Sequence, residues 1–171
     1  CTDGLCGMMQ AIQAVYPKSR LQRCIVHQIR SSTKYVSYKD IKKVVADLKK
    51  VYTAVTLDEA EENLRTFSNT WRKQYPSCVK SWEDNWEVLN AFFEYQPEIR
   101  KIIYTTNIIE GLNRQFRQIT KNKPSFTNDD SLRRMLYLAS QRIVKHWHAR
   151  CQNWDMVLSQ LEIMFADRKV G

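Results

Sequence analysis

Glycine and proline are scarce, four of each in 171 residues. So little punctuation excludes a chain built mainly of strands and turns, and a helix-rich protein is expected. No apolar run approaches the roughly 18 residues of a membrane span, and the N-terminus has no secretory-leader pattern. The five cysteines, Cys1, Cys6, Cys24, Cys78 and Cys151, are odd in number and widely scattered. That argues against a secreted disulfide framework and for reduced thiols. An initiating methionine is also missing, and a chain that starts at Cys1 is expected to be a piece of something longer.

What is present is ordinary in proportion and uneven in layout. Hydrophobic residues make up 43% and charged residues 26%, which excludes wholesale disorder. The net charge of +9 points to a polyanionic partner, most often nucleic acid. Residues 1–50 carry ten Lys/Arg against three Asp/Glu, and 99–150 carry eleven against three. Between them, 51–98 reverse the sign with four against nine. Two basic segments therefore flank an acidic middle, which is expected to form a lobe of its own.

Hydrophobic spacing predicts helices along most of the chain. Leu5 to Tyr16 reads as a first helix closed by Pro17. Ile41, Val44, Val45, Leu48, Val51 and Tyr52 form an amphipathic stripe. Thr56-Leu57-Asp58-Glu59 reads as a capping box opening the next helix. In the acidic stretch 81–93, Trp82, Trp86, Leu89 and Phe93 are expected to be core rather than a base-stacking platform, because negative neighbours repel a nucleic-acid strand. Leu21 to His27 alternates with period two and is the best strand candidate.

Two carboxylates stand amid positive charge. Asp3, in Thr2-Asp3-Gly4, is either the N-cap of the first helix or a metal-binding aspartate at a strand end. Glu110 is either the capping-box partner of Asn107 or one end of a functional face. On the helix predicted from Asn107, Glu110, Asn113, Arg114, Arg117 and Lys121 fall on one side, opposite Ile108, Leu112, Phe116 and Ile119. Cys24-x-x-His27 has the spacing of two metal ligands, with no well-spaced second pair. A helical scaffold stabilised by zinc at Cys24 and His27 remains one reading, and a non-catalytic helical DNA-binding module another.

TDGLCGMMQAIQAVYPKSRLQRCIVHQIR (residues 2–30) and IIYTTNIIEGLNRQFRQITK (102–121) together resemble the bacterial Mutator-type insertion-sequence transposases. The series Trp71, Tyr75-Pro76, Trp82, Asn85-Trp86 and the run MLYLA at 135–139 fit as well. The resemblance implies a DDE enzyme that cleaves transposon-end DNA and joins the freed 3′-hydroxyl to target DNA. It implies a ribonuclease-H-like α/β domain with an α-helical insertion between the second aspartate and the glutamate. For this chain the expected fold is predominantly α, with one or two strands of an incomplete core. The implied divisions are 1–30 as part of that core, 31–98 as the insertion and 99–171 as closing helices.

By residue, Asp3 matches the second catalytic aspartate, Glu110 the catalytic glutamate, and Cys24 and His27 the C-x-x-H pair. Asp3 and Glu110 would be ligands of Mg²⁺ or Mn²⁺ in a two-metal site. Cys24, His27 and Asn113 would be accessory, and Arg114, Arg117, Lys121 and Lys123 would meet DNA phosphates. The implied partners are double-stranded DNA and, in the intact protein, further copies of itself, with no membrane. The implied location is the bacterial cytoplasm, at the nucleoid when DNA is bound. The family's first aspartate lies upstream of the second, so this chain alone is expected to be inactive.

Overall fold

Helix dominates, as the glycine and proline counts require. A computed structural model describes residues 1–104, 108–121, 125–146 and 153–168. Among the described residues there are ten α-helices and no strand beyond one isolated bridge. The chain divides into two compact units, Cys1–Thr105 and Thr106–Gly171.

The first unit contains α1 (Met8–Val15), α2 (Ile25–Ser32), α3 (Tyr38–Tyr52), α4 (Leu57–Trp71), α5 (Pro76–Glu83), α6 (Trp86–Leu89) and α7 (Pro97–Tyr104). On α3, Val44, Leu48 and Val51 recur at helical spacing and are fully buried. They pack with Ala60, Leu64 and Phe67 of α4 in one core. Thr56 caps α4: its Oγ1 accepts from the Glu59 amide at 3.2 Å, and the Glu59 carboxylate accepts from the Val55 amide at 2.8 Å. The predicted box therefore forms, with its return bond one residue early; such a cap contributes about 1 kcal/mol. Pro76 opens α5 at the first turn, where its missing N–H costs nothing.

The aromatics of the acidic stretch are core, as expected. Trp82 is fully enclosed, Leu89 and Phe93 are buried, and Trp86 packs at the edge of the same cluster. Burying each large apolar side chain contributes roughly 1.5–3 kcal/mol. The indole polar atoms are matched: Trp82 Nε1 donates to Ser32 Oγ at 3.0 Å, and Trp71 Nε1 donates to Asp47 at 3.0 Å.

The strand predicted at 21–27 is not one. Only Arg23 pairs, in an isolated parallel bridge with Thr2, and α2 begins at Ile25. The reason lies in a buried polar residue. Ile25, Gln28 and Ser32 share the hidden face of α2, and the Gln28 amide donates to the carbonyl and hydroxyl of Ser81, both at 2.8 Å. A glutamine at a core position breaks the apolar pattern that would have signalled a helix. The first helix is also shorter than predicted, because Gly7 at φ +78° starts it and Leu5 stays exposed.

The second unit contains α8 (Ile108–Thr120), α9 (Asp129–His146) and α10 (Trp154–Met164). Ala139 and Ile143 of α9 and Val157 of α10 are its most buried side chains. Ile119 of α8 and Met135, Leu138, Ala139 and Arg142 of α9 line a small cavity of about 150 Å³. On α10, Val157 is buried while Trp154, Leu158 and Met164 remain exposed.

Candidate functional site

Asp3 owes its position to a short extended segment. The Thr2 amide donates to Gln22 O at 2.9 Å, and the Cys24 amide donates to Thr2 O at 2.7 Å. The 22–24 segment is itself fixed to the helical part of the unit: the Arg23 amide donates to Val88 O at 2.9 Å, and the Gln22 side-chain amide donates to Leu89 O at 3.0 Å. The Arg23 guanidinium donates to Asn85 Oδ1 at 2.7 Å and lies against Gly4. A Cβ built on Gly4 would stand 2.6 Å from Arg23 Cζ, and Gly4 has φ +82°. Glycine at this place suits the backbone, and any side chain there would displace the tip of Arg23.

Asp3 is exposed, and its Oδ1 accepts from the Leu5 amide at 3.3 Å. It does not cap α1, because the cap position is Gly7. The capping alternative for Asp3 is thereby removed. An aspartate that closes a local turn beside a bridge residue is free of helix-start duty.

Cys24 is the cap residue of α2 and is buried, while His27, one turn on, is half-buried. Among the described residues no group of three or more His, Cys, Asp or Glu is gathered where it could hold a metal. The zinc-scaffold reading, which needs further ligands beside Cys24 and His27, gains no support from these residues.

In the second unit, Glu110 sits in the first turn of α8 and is half-buried. Asn113, Arg114, Arg117 and Lys121 are exposed, while Leu112, Phe116 and Ile119 are half-buried. From residue 112 on, the two faces read from the sequence are the two faces of the helix, while the side chain of Ile108 lies outside the described residues. A carboxylate in the first turn and arginine in the last turn also suit the helix dipole. Lys121 follows the helix, its amide donating to Arg117 O at 2.9 Å. Lys123 and Asn107 lie outside the described residues, so the capping alternative for Glu110 stays open.

Arg23 and Asn85 escaped the sequence reading as contributors around Asp3. Arg23 stands between Gln22 and Cys24, and Asn85 is 62 positions away, so no local spacing links them. The one available signal was the Asp3-Gly4 pair, since glycine after an aspartate marks a backbone needing positive φ or close approach.

The family described as "Transposase, Mutator family" matches residues 1–150. The chain is similar to a protein of Corynebacterium diphtheriae named "Probable transposase for insertion sequence element", 36% identical, with 98% of this chain and 55% of that protein covered. It is similar to the "Transposase for insertion sequence element ISRM3" of Rhizobium meliloti (strain 1021), also 36% identical, over 97% of this chain and 42% of the relative. The "Transposase for insertion sequence element IS905" of Lactococcus lactis subsp. lactis is 34% identical over 84% of this chain and 39% of its own length. The chain thus spans about half, or less, of the length of these curated relatives.

Proposed function

The chain belongs to the Mutator family of transposases, and on that premise we propose that it supplies two of the acidic residues and part of the DNA-binding surface of a DDE transposase. The observation that carries this reading is the pair of matched motifs, each placed at the start of a local element. Asp3 follows a bridge residue and is released from capping, and Glu110 opens a helix whose outer face is Asn113, Arg114, Arg117 and Lys121.

In this reading residues 1–30 are the remnant of a ribonuclease-H-like core, 31–98 the helical insertion and 99–171 the closing helices. The isolated parallel bridge between Thr2 and Arg23 supports the first assignment, since that fold pairs strands in parallel beside the catalytic aspartate. The bonds from Arg23 and Gln22 to Asn85, Val88 and Leu89 tie the insertion to the segment that presents Asp3.

Asp3 and Glu110 are hard oxygen donors of the kind Mg²⁺ or Mn²⁺ takes, and they are assigned as its ligands. When bound, such ions polarise a phosphodiester and activate water or a 3′-hydroxyl. The chain's own contribution is positional. Asp3 is held by the Thr2–Cys24 pairing and by Arg23 beneath Gly4. Arg114, Arg117, Lys121 and Lys123 neutralise backbone phosphates, giving affinity and register rather than base readout. Asn113 and His27 are accessory groups that orient DNA or a carboxylate.

The test is excision of a marked element in cells carrying the intact reading frame. Asp3→Ala and Glu110→Ala should each abolish excision at unchanged protein level. Excision at the wild-type frequency in either variant would contradict the assignment.

A further inference from the structure

The lysines of α3 occupy a face that the α8 reading does not use. Lys39, Lys42, Lys43 and Lys49 are exposed. At 100° per residue they fall, with Ala46, within an arc of about 120° on the outer side of α3. The opposite side is Val44, Leu48 and Val51, sealed in the core.

The helix also carries two carboxylates, and the structure shows where they go. Asp40 accepts from Tyr75 OH at 2.7 Å and from the Gln74 side-chain amide at 3.0 Å. Asp47 accepts from the Trp71 indole at 3.0 Å and from Lys50 at 2.7 Å. Asp47 pairs with Lys50, which lies on the same outer side, and Asp40 is bonded to Tyr75 and Gln74; neither acid pairs with Lys39, Lys42, Lys43 or Lys49. Among the described residues Lys39, Lys42, Lys43 and Lys49 make no ion pair with another side chain. Tyr38, 90% exposed, stands at the head of the row.

We propose that this face of α3 is a second DNA-backbone surface, in the unit that does not contain α8. The proposal rests on the reading of the chain as DNA-binding and adds a contact to it. The row from Lys39 to Lys49 is about 15 Å long, enough to follow several phosphates of a duplex that carries one charge per roughly 1.7 Å. Its flexible ammonium groups suit phosphates as point charges. The Tyr38 hydroxyl adds a donor of the type that commonly meets phosphate oxygens. The face lacks Trp, Phe or Leu between the lysines, which a helix lying in a lipid interface would need. Segment 51–98 is acidic in sum, but its sign does not describe α3.

The experiment measures binding of the 171-residue chain to a fluorescent 30-base-pair duplex across a sodium chloride series. Three variants accompany the wild type: Lys39→Gln/Lys42→Gln/Lys43→Gln/Lys49→Gln, the same four positions changed to Arg, and Arg114→Ala/Arg117→Ala. Circular dichroism melting follows each protein. The glutamine variant is expected to bind at least about tenfold more weakly at moderate salt, with a log–log salt slope shallower by about 3. The arginine variant is expected to keep both. Wild-type affinity and slope in the glutamine variant, with Arg114→Ala/Arg117→Ala impaired, would overturn the α3 surface and leave the α8 reading standing. No duplex binding by the wild type would overturn both. Tighter association with phosphatidylserine vesicles than with duplex, lost in the glutamine variant, would overturn DNA as the partner of this face.

Discussion

The guanidinium of Arg23 fills the space where a side chain at residue 4 would begin: a Cβ on Gly4 would lie 2.6 Å from Arg23 Cζ. Asp3 is the next residue back, and Arg23 is anchored on Asn85 at 2.7 Å. The position of the first candidate carboxylate is therefore coupled to the helical segment some eighty residues later. The coupling runs through Arg23 and its neighbour Gln22, which reach Asn85, Val88 and Leu89.

Gly7 provides an internal control for this contact. Gly4 and Gly7 have φ of +82° and +78°, but a Cβ on Gly7 meets nothing within 4 Å. Gly7→Ala should cost only the left-handed backbone strain, about 1 kcal/mol. Gly4→Ala should cost about 1 kcal/mol more, because Arg23 must leave its place. Urea unfolding of the two variants decides it, and equal losses would mean that the Arg23 contact contributes nothing.

Asp47 should make stability pH-dependent. Burial pushes its carboxyl up, but the hydrogen bonds from Lys50 and Trp71 and the charge of Lys50 outweigh this and hold it below the usual carboxylate range. A group depressed in the folded state stabilises the protein above its unfolded pKa, and that contribution is lost as pH falls through the folded value. Asp47→Asn should therefore cost up to about 1 kcal/mol at neutral pH and nothing at strongly acidic pH. Chemical unfolding of both proteins from about pH 2 to about pH 7, spanning the carboxylate range, gives the comparison. A gap that fails to narrow in acid would remove Asp47 as the source.

Thiol reactivity should separate the described cysteines into two classes. Cys1 and Cys6 are exposed, while Cys24 and Cys78 are buried. Burial also pushes the Cys78 thiol up, with the Ser32 hydrogen bond acting weakly against it, which leaves less thiolate to react. Mass-spectrometric mapping after brief alkylation should find Cys1 and Cys6 modified, and Cys24 and Cys78 modified only after unfolding. Rapid modification of Cys78 in the folded protein would contradict the core described above.

The outer face of α8 should contribute to DNA binding through charge alone. Arg114→Ala/Arg117→Ala should weaken duplex binding by a similar factor for unrelated sequences and reduce the log–log salt slope by about 2. Equilibrium anisotropy with two different duplexes checks both points. A loss confined to one sequence would instead indicate base readout.

The elements legible in the sequence were those governed by neighbours three or four residues apart. The α3 stripe, the Thr56–Glu59 cap and the two faces of α8 belong to that class. What the sequence hid depended on distant partners. Gln28 is buried because Ser81, 53 positions on, receives its amide, and without that knowledge Leu21 to His27 looked like a strand. The basic sign of the segment holding α3 was visible, but the distant partners of Asp40 and Asp47, which are Gln74, Tyr75 and Trp71, were not. Asp3 and Glu110 were found as candidates by their surroundings, but only the family resemblance joined them.

The most direct measurement is strand cleavage on labelled transposon-end duplex by the intact protein with Mg²⁺, alongside duplex binding by the same preparations. Asp3→Asn and Glu110→Gln keep the size of each side chain and remove its charge. The account predicts that both variants bind the duplex as the wild type does and lose cleavage by about a thousandfold or more, roughly 4 kcal/mol of transition-state stabilisation. Cleavage at the wild-type rate by either variant would contradict it.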